Sequence, residues 1–222
     1  MNDDDMVSVD RAALLAFYDD PRDDERGMNA TAVNAVAGEE LGIALLMKYL
    51  LDTGVEATLL PGPCTTGKRR GARLDAWIVT PEVLYQGEVK NWSAHSFGGT
   101  RFPLDAVESV GHAHRKKIWD EYWDGSTFRD EPAAKVLQRM KPPIPHHCIE
   151  PLIAFWVSLH PRGEAIPFFE QPLKDMRFDR VHVFSMSTYL RGLSSDTLDL
   201  PLPKTRERLA VLDRIFTCQM NA

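Results

Sequence analysis

An α/β fold with a mixed central sheet flanked by helices is what this sequence predicts, on three observations. The stretch "TAVNAVAGEELGIALLMKYLLDTG" places Val33, Val36, Leu41, Ala44, Leu45 and Leu51 at three- and four-residue steps, with Gly54 where a C-cap belongs. "ARLDAWIVT" and "EVLYQGEVKNW" read as strands joined by "TPE", a connection suited to a hairpin. "EPLIAFWVSL" is a continuous apolar run of the kind found in strands buried on both faces.

The elements follow in order. "DRAALLAFYDD" has a short helical pattern, and the acidic loop "DDPRDDERGMN" closes an N-terminal extension over residues 1–29. The long amphipathic helix comes next, then "VEATLL" as a short strand and the hairpin pair. Pro103 to Trp123 carries Leu104, Val107, Val110, Ile118 and Tyr122 at helical spacing. A polar, proline-rich segment ends in "KPPIPHHC", before the apolar strand and a further strand, "FDRVHVFSM". "TRERLAVLDRIFT" closes the chain as a helix over about residues 204–217. With no linker and no internal repeat, the 222 residues form one domain, its core at about 30–190.

The bulk numbers exclude several classes. A hydrophobic fraction of 44% and a charged fraction of 26% are those of a soluble globular protein. No apolar run is long enough to span a bilayer, so no membrane partner is expected, and "MNDDDMVSVD" lacks the pattern of a signal peptide. Cys64, Cys148 and Cys218 have no paired spacing, which predicts free thiols in a reducing cytoplasm. The net charge of −6 argues against a basic coat but leaves room for a local basic groove.

The most informative tetrapeptide is "GEVK". Strand side chains alternate, so Gln86, Glu88 and Lys90 share one face while Val89 points into the other layer. In the preceding strand Leu74, Ala76 and Ile78 are expected on one face, leaving Asp75 on the other. If the strands pair as a hairpin, Asp75 and Glu88 converge. Two carboxylates on an apolar sheet repel and lose hydration, and a divalent cation relieves both costs; their oxygens suit Mg²⁺ or Mn²⁺. The Lys90 ammonium beside them can orient a water or offset charge on a phosphate.

With these residues, the chain resembles the PD-(D/E)xK nuclease superfamily, the restriction-endonuclease-like fold. That core runs αβββαβ, the order read here from about Ala30 to Leu159. "RLDAW" supplies Asp75 and "QGEVKNW" supplies Glu88 and Lys90. The helix acid is Glu40 or Glu39, with Glu40 preferred because Glu-Leu followed by a small-apolar run and a closing Gly resembles the family's first helix. Leu74 stands where the family often has proline. The resemblance implies metal-dependent phosphodiester hydrolysis, most often of DNA. Asp75, Glu88 and the Val89 carbonyl would hold Mg²⁺ or Mn²⁺, Lys90 would activate the water, and Glu40 would reach the metal through water or steer Lys90. Gln86 would contact the scissile strand. A homodimer is a further expectation, since many such enzymes cut two strands as pairs.

Two basic clusters flank that site in sequence: Lys68, Arg69, Arg70 and Arg73 before Asp75, and Arg115, Lys116 and Lys117 after Lys90. Phosphate contacts of this kind supply most sequence-independent DNA affinity. "KNWSAHSFGGTRF" is a candidate loop over the site. "GPCTTGK" matches the opening of a P-loop, but Arg69 follows Lys68 where Ser or Thr must hold Mg²⁺, and a strand follows where a helix is needed. His146, His147 and Cys148 have no companion pair at zinc spacing, and Trp119 and Trp123 read as packing residues. The alternative function is a catalytically inactive protein of the same fold that binds nucleic acid or assembles with a partner.

Overall fold

A computed structural model describes residues 5–19, 26–60, 74–90, 96–97, 100–101, 136–137, 140–156, 160, 164–173 and 177–216. Its centre is a six-stranded mixed sheet in the order β2-β3-β4-β7-β9-β8. β2 (Thr58–Leu59), β3 (Ala76–Val79) and β4 (Leu84–Lys90) form an antiparallel meander. β7 (Ile149–Phe155) lies parallel to β4, and β9 (Arg180–Ser185) parallel to β7. β8 (Phe168–Pro172) closes one edge antiparallel to β9. A separate two-stranded ladder, β5 (Ser96–Phe97) with β6 (Thr100–Arg101), lies in the segment after β4.

The expected hairpin forms. The Thr80 N–H donates to the Val83 carbonyl at 2.9 Å, and the Val83 N–H donates back to Thr80 Oγ1 at 3.0 Å. β7 is buried from Glu150 to Phe155, as its unbroken apolar run requires.

Helices flank the sheet: α1 (Arg11–Asp19), α2 (Arg26–Asp52), α3 (Met186–Gly192) and α4 (Pro203–Ile215). α2 ends where Gly54 takes φ +77°. There the Val55 N–H reaches the Leu50 carbonyl and the Gly54 N–H the Leu51 carbonyl, satisfying groups the helix end leaves open. The helix predicted over Pro103–Trp123 lies outside the described residues.

Two apolar layers sandwich the sheet. On the α2 side Ala76, Ile78, Tyr85, Val89, Leu152, Ala154 and Phe184 meet Leu41, Ala44 and Leu45, with Tyr18 packed on Trp156 at 4.2 Å between ring centroids. On the other side Leu74, Trp77, Leu84, Ile153, Phe155 and Val183 meet Val136, Leu137 and Met140. The sequence pattern had grouped Leu74 with Ala76 and Ile78; the structure separates them. β3 begins only at Ala76, and the bend at Asp75 breaks the alternation, so Leu74 joins the layer of Trp77.

The described part of the N-terminal extension packs onto the rest of the fold. β1 (Met6–Asp10) pairs antiparallel with β10 (Thr197–Pro201), and Tyr18 is buried in the α2-side core.

Close packing of α2 on β4 depends on Gly42. A Cβ added there would stand 2.5 Å from Val89 Cγ1 and 3.3 Å from Met186 Sδ. Val89 is β-branched and buried, so it cannot swing aside freely. Gly42→Ala is expected to destabilise by about 1–3 kcal/mol through overpacking, against the roughly 1 kcal/mol gained from helix propensity. Thermal unfolding checks this, and an unchanged or raised Tm would contradict the close approach.

Candidate active site

Asp75 and Glu88 stand at the carboxyl end of β4, where open α/β sheets commonly bind ligands. The β3–β4 register pairs Ala76 with Gly87, and one further step sets Asp75 across from Glu88. The ladder does not continue into that step. The Asp75 N–H donates to the Gly87 carbonyl at 3.1 Å, although Gly87 is the partner of Ala76. The Asp75 carboxylate then accepts the Val89 N–H through Oδ2 at 2.8 Å. A side-chain oxygen thus stands in for the main-chain acceptor that a longer β3 would have supplied. The charge is fixed at the strand end by a hydrogen bond to a rigid element.

Glu88 is 1% exposed, and Ile153 is its register partner on β7. A carboxylate buried beside Ile153 is costly unless compensated. Val89 points into the α2-side layer, as its place between Glu88 and Lys90 predicts. Lys90 is the last residue of β4, in register with Phe155.

Gln86 departs from its expected role. It is fully buried; its amide donates to the Val136 carbonyl, and its Oε1 accepts the Met140 N–H at 3.4 Å. Its polarity is spent on holding Val136 and Met140 against the sheet, and no surface is left for a nucleic-acid strand.

Glu40, the preferred helix acid, is bound to α4. Its carboxylate accepts the Lys204 N–H at 3.0 Å, the Thr205 N–H at 2.7 Å and the Thr205 hydroxyl at 2.6 Å. It therefore caps the N-terminus of α4, where negative charge is favoured and main-chain N–H groups lack intrahelical partners. Leu202 at the N-cap offers no side-chain acceptor, which explains why the cap comes from another helix. Glu39 is exposed. Glu40→Ala is expected to cost about 1–2 kcal/mol and to loosen α4 first. Amide exchange accelerated in α4 while β7 stays protected is the measurement.

Lys68, Arg69, Arg70, Arg73, Arg115, Lys116 and Lys117 lie outside the described residues, as do the P-loop-like stretch, Trp119 and Trp123. His146 turns inward on its own segment, Nδ1 against the Cys148 carbonyl at 2.7 Å. No group of three or more His, Cys, Asp and Glu suited to a metal occurs among the described residues.

A second charged cluster escaped the sequence reading. Glu150 on β7 receives Arg180 and His182 from β9, and the Cys148 thiol at 3.4 Å. Arg180 also reaches Glu170 on β8 at 3.0 Å. Burial alone would raise the Glu150 carboxyl, but the hydrogen bonds from Arg180 and then His182 outweigh it and hold the group at about 2. Burial first, and then the carboxylates of Glu150 and Glu170, push the neighbouring Tyr85 hydroxyl up to about 12. The only signal in sequence was Arg-x-His in an otherwise apolar strand. This cluster lies at the amino ends of the parallel strands, away from Glu88.

Compared with protein-family models, curated proteins and solved structures, the chain matches none. No helix among the described residues is long and apolar enough to cross a membrane.

Proposed function

We propose that the protein is a metal-dependent nuclease that hydrolyses phosphodiester bonds, with DNA as its substrate and a restriction-endonuclease-like core. The observation that carries this reading is the Asp75 carboxylate fixed to the Val89 N–H, one register step from buried Glu88. The order α2, β2, β3, β4, then β7 parallel beside β4, supports the same fold.

The donor set fits a hard cation. Two carboxylates and the Val89 carbonyl are hard oxygen donors that would suit Mg²⁺ or Mn²⁺. When bound, the cation supplies charge against the phosphate oxygens and acidifies a water. Asp75 and Glu88 would hold it, and Lys90 at the end of β4 would position the attacking water. Lys68, Arg69, Arg70 and Arg73, with Arg115, Lys116 and Lys117, meet the phosphate backbone.

A second reading has its own support: Asp75 and Glu40 both do structural work through main-chain hydrogen bonds, as they would in an inactive binding or assembly protein of this fold. Supercoiled plasmid and linear duplex, incubated with the protein and Mg²⁺, Mn²⁺ or EDTA, separate the two. Metal-dependent cleavage lost in Asp75→Ala and Lys90→Ala supports the nuclease. Cleavage that survives in both refutes the assignment, and salt-sensitive DNA binding without cleavage selects the inactive reading.

A further inference from the structure

Val89 joins two parts of the molecule that the site needs together. Its N–H binds the Asp75 carboxylate at 2.8 Å, and its side chain is buried in the α2-side layer. In an extended strand the N–H and carbonyl of one residue point to the same edge. The Val89 carbonyl therefore also faces the edge where β3 has already ended. On the opposite edge Val89 is in register with Ala154 of β7. A ladder holds one side of this residue, and a side-chain carboxylate holds the other.

A third contact comes from α2. A Cβ on Gly42 would stand 2.5 Å from Val89 Cγ1, 3.4 Å from Val89 Cγ2 and 3.3 Å from Met186 Sδ. Non-bonded carbon atoms rest at roughly 3.5–4.0 Å, so a methyl group at Gly42 displaces Val89 or the helix by about 1 Å. The β-branched side chain has little rotamer freedom, and the push passes to the Val89 main chain. There the restraints are unequal. The β4–β7 ladder runs through Val89 to Lys90, whereas the β3–β4 ladder stops at Ala76 and Gly87. The hydrogen bond to Asp75 is the one that gives first.

We propose that Gly42 is a positioning residue: its missing side chain lets α2 seat Val89, and through the Val89 N–H it sets the place of the Asp75 carboxylate. Its contribution to metal binding rests on the nuclease reading; the coupling from α2 to Asp75 does not.

Two measurements on the full chain, made well below the unfolding temperature of every variant, are the test. Exchange of the Val89 amide hydrogen, followed by NMR, reports the bond to Asp75 without metal. Titration with Mn²⁺, followed by water-proton relaxation, reports the site. Gly42→Ala is expected to speed Val89 exchange about 10-fold or more while the β7 amides stay protected. It should also weaken Mn²⁺ binding about 10- to 100-fold, the range for groups that orient a metal ligand. Leu200→Ala opens a cavity in the same core on β10, and should lower the Tm while moving neither readout. In a Val89→Ala background, where the crowding methyl groups are gone, Gly42→Ala should have no further effect. Val89 exchange unchanged by Gly42→Ala overturns the proposal, as does an equal acceleration in Leu200→Ala or an undiminished effect in the Val89→Ala background. Unchanged Mn²⁺ affinity in Gly42→Ala, where the wild type binds the ion, overturns it as well. A wild type that takes up no Mn²⁺ overturns the nuclease reading, and Val89 exchange then decides the coupling by itself.

Discussion

Plasmid DNA incubated with Mg²⁺ and the Asp75→Asn protein is expected to remain intact while the wild type converts it, with a loss of more than about 100-fold. Asparagine keeps an oxygen that can accept the Val89 N–H, so β3 and β4 stay joined; only the charge disappears. Asp75→Ala removes the acceptor as well and leaves the Val89 N–H without its partner, a further cost of about 1–3 kcal/mol. The pair of variants therefore separates metal holding from strand closure. Glu88→Gln makes the matching test in the buried position, where an isosteric amide preserves packing. Equal cleavage by wild type, Asp75→Asn and Glu88→Gln would rule out both carboxylates as metal ligands.

The largest stability effect is expected at the other end of the sheet. Glu150→Ala strands His182 and leaves Arg180 with Glu170 alone, and the loss is about 3 kcal/mol, the lower end for buried pairs because the Arg180 side chain is 45% exposed. For a chain of this length that is a Tm lower by roughly 6–12 °C. The sign of the pH dependence follows from the depressed carboxyl. Its folded value of about 2 lies below the ordinary 4.5, so its contribution is fully present above that ordinary value. It is lost as pH falls from the ordinary value toward the folded one. Glu150→Gln should flatten the acid limb of the stability curve over that window while altering neutral stability less than alanine does. A wild-type curve already flat there would remove the network from the account.

How much of this was legible in the sequence varies with the range of the interactions involved. α2, β7 and the β3–β4 hairpin declare themselves through local signals: a 3.6-residue period, an unbroken apolar run, a tight connection. Glu88 followed from simple alternation. Asp75 was located, but its neighbour Leu74 was assigned to the wrong face, because a bend that hands the strand's hydrogen bond to a side chain leaves no mark in hydropathy. Gln86 and Glu40 took other roles for a similar reason. The Val136 carbonyl that binds Gln86 lies 50 residues on, and the Thr205 hydroxyl held by Glu40 lies 165 residues on. A polar side chain shows its chemistry in sequence but not its partner. β8, with its closing proline, and the short strands β1 and β10 carry too little pattern to stand out alone.

The β1–β10 ladder has a consequence for how the chain is made. Met6 pairs with Pro201 and Ser8 donates to Asp199 at 2.5 Å, so β1 waits for a partner 191 residues further along. Until β10 leaves the ribosome, Val7 and Val9 have no ladder to join, and closure of that long loop must precede any gain from the contact. The ladder therefore forms only once β10 has been made. A nascent chain stalled short of β10 presents an unpaired edge, open to aggregation or to a chaperone.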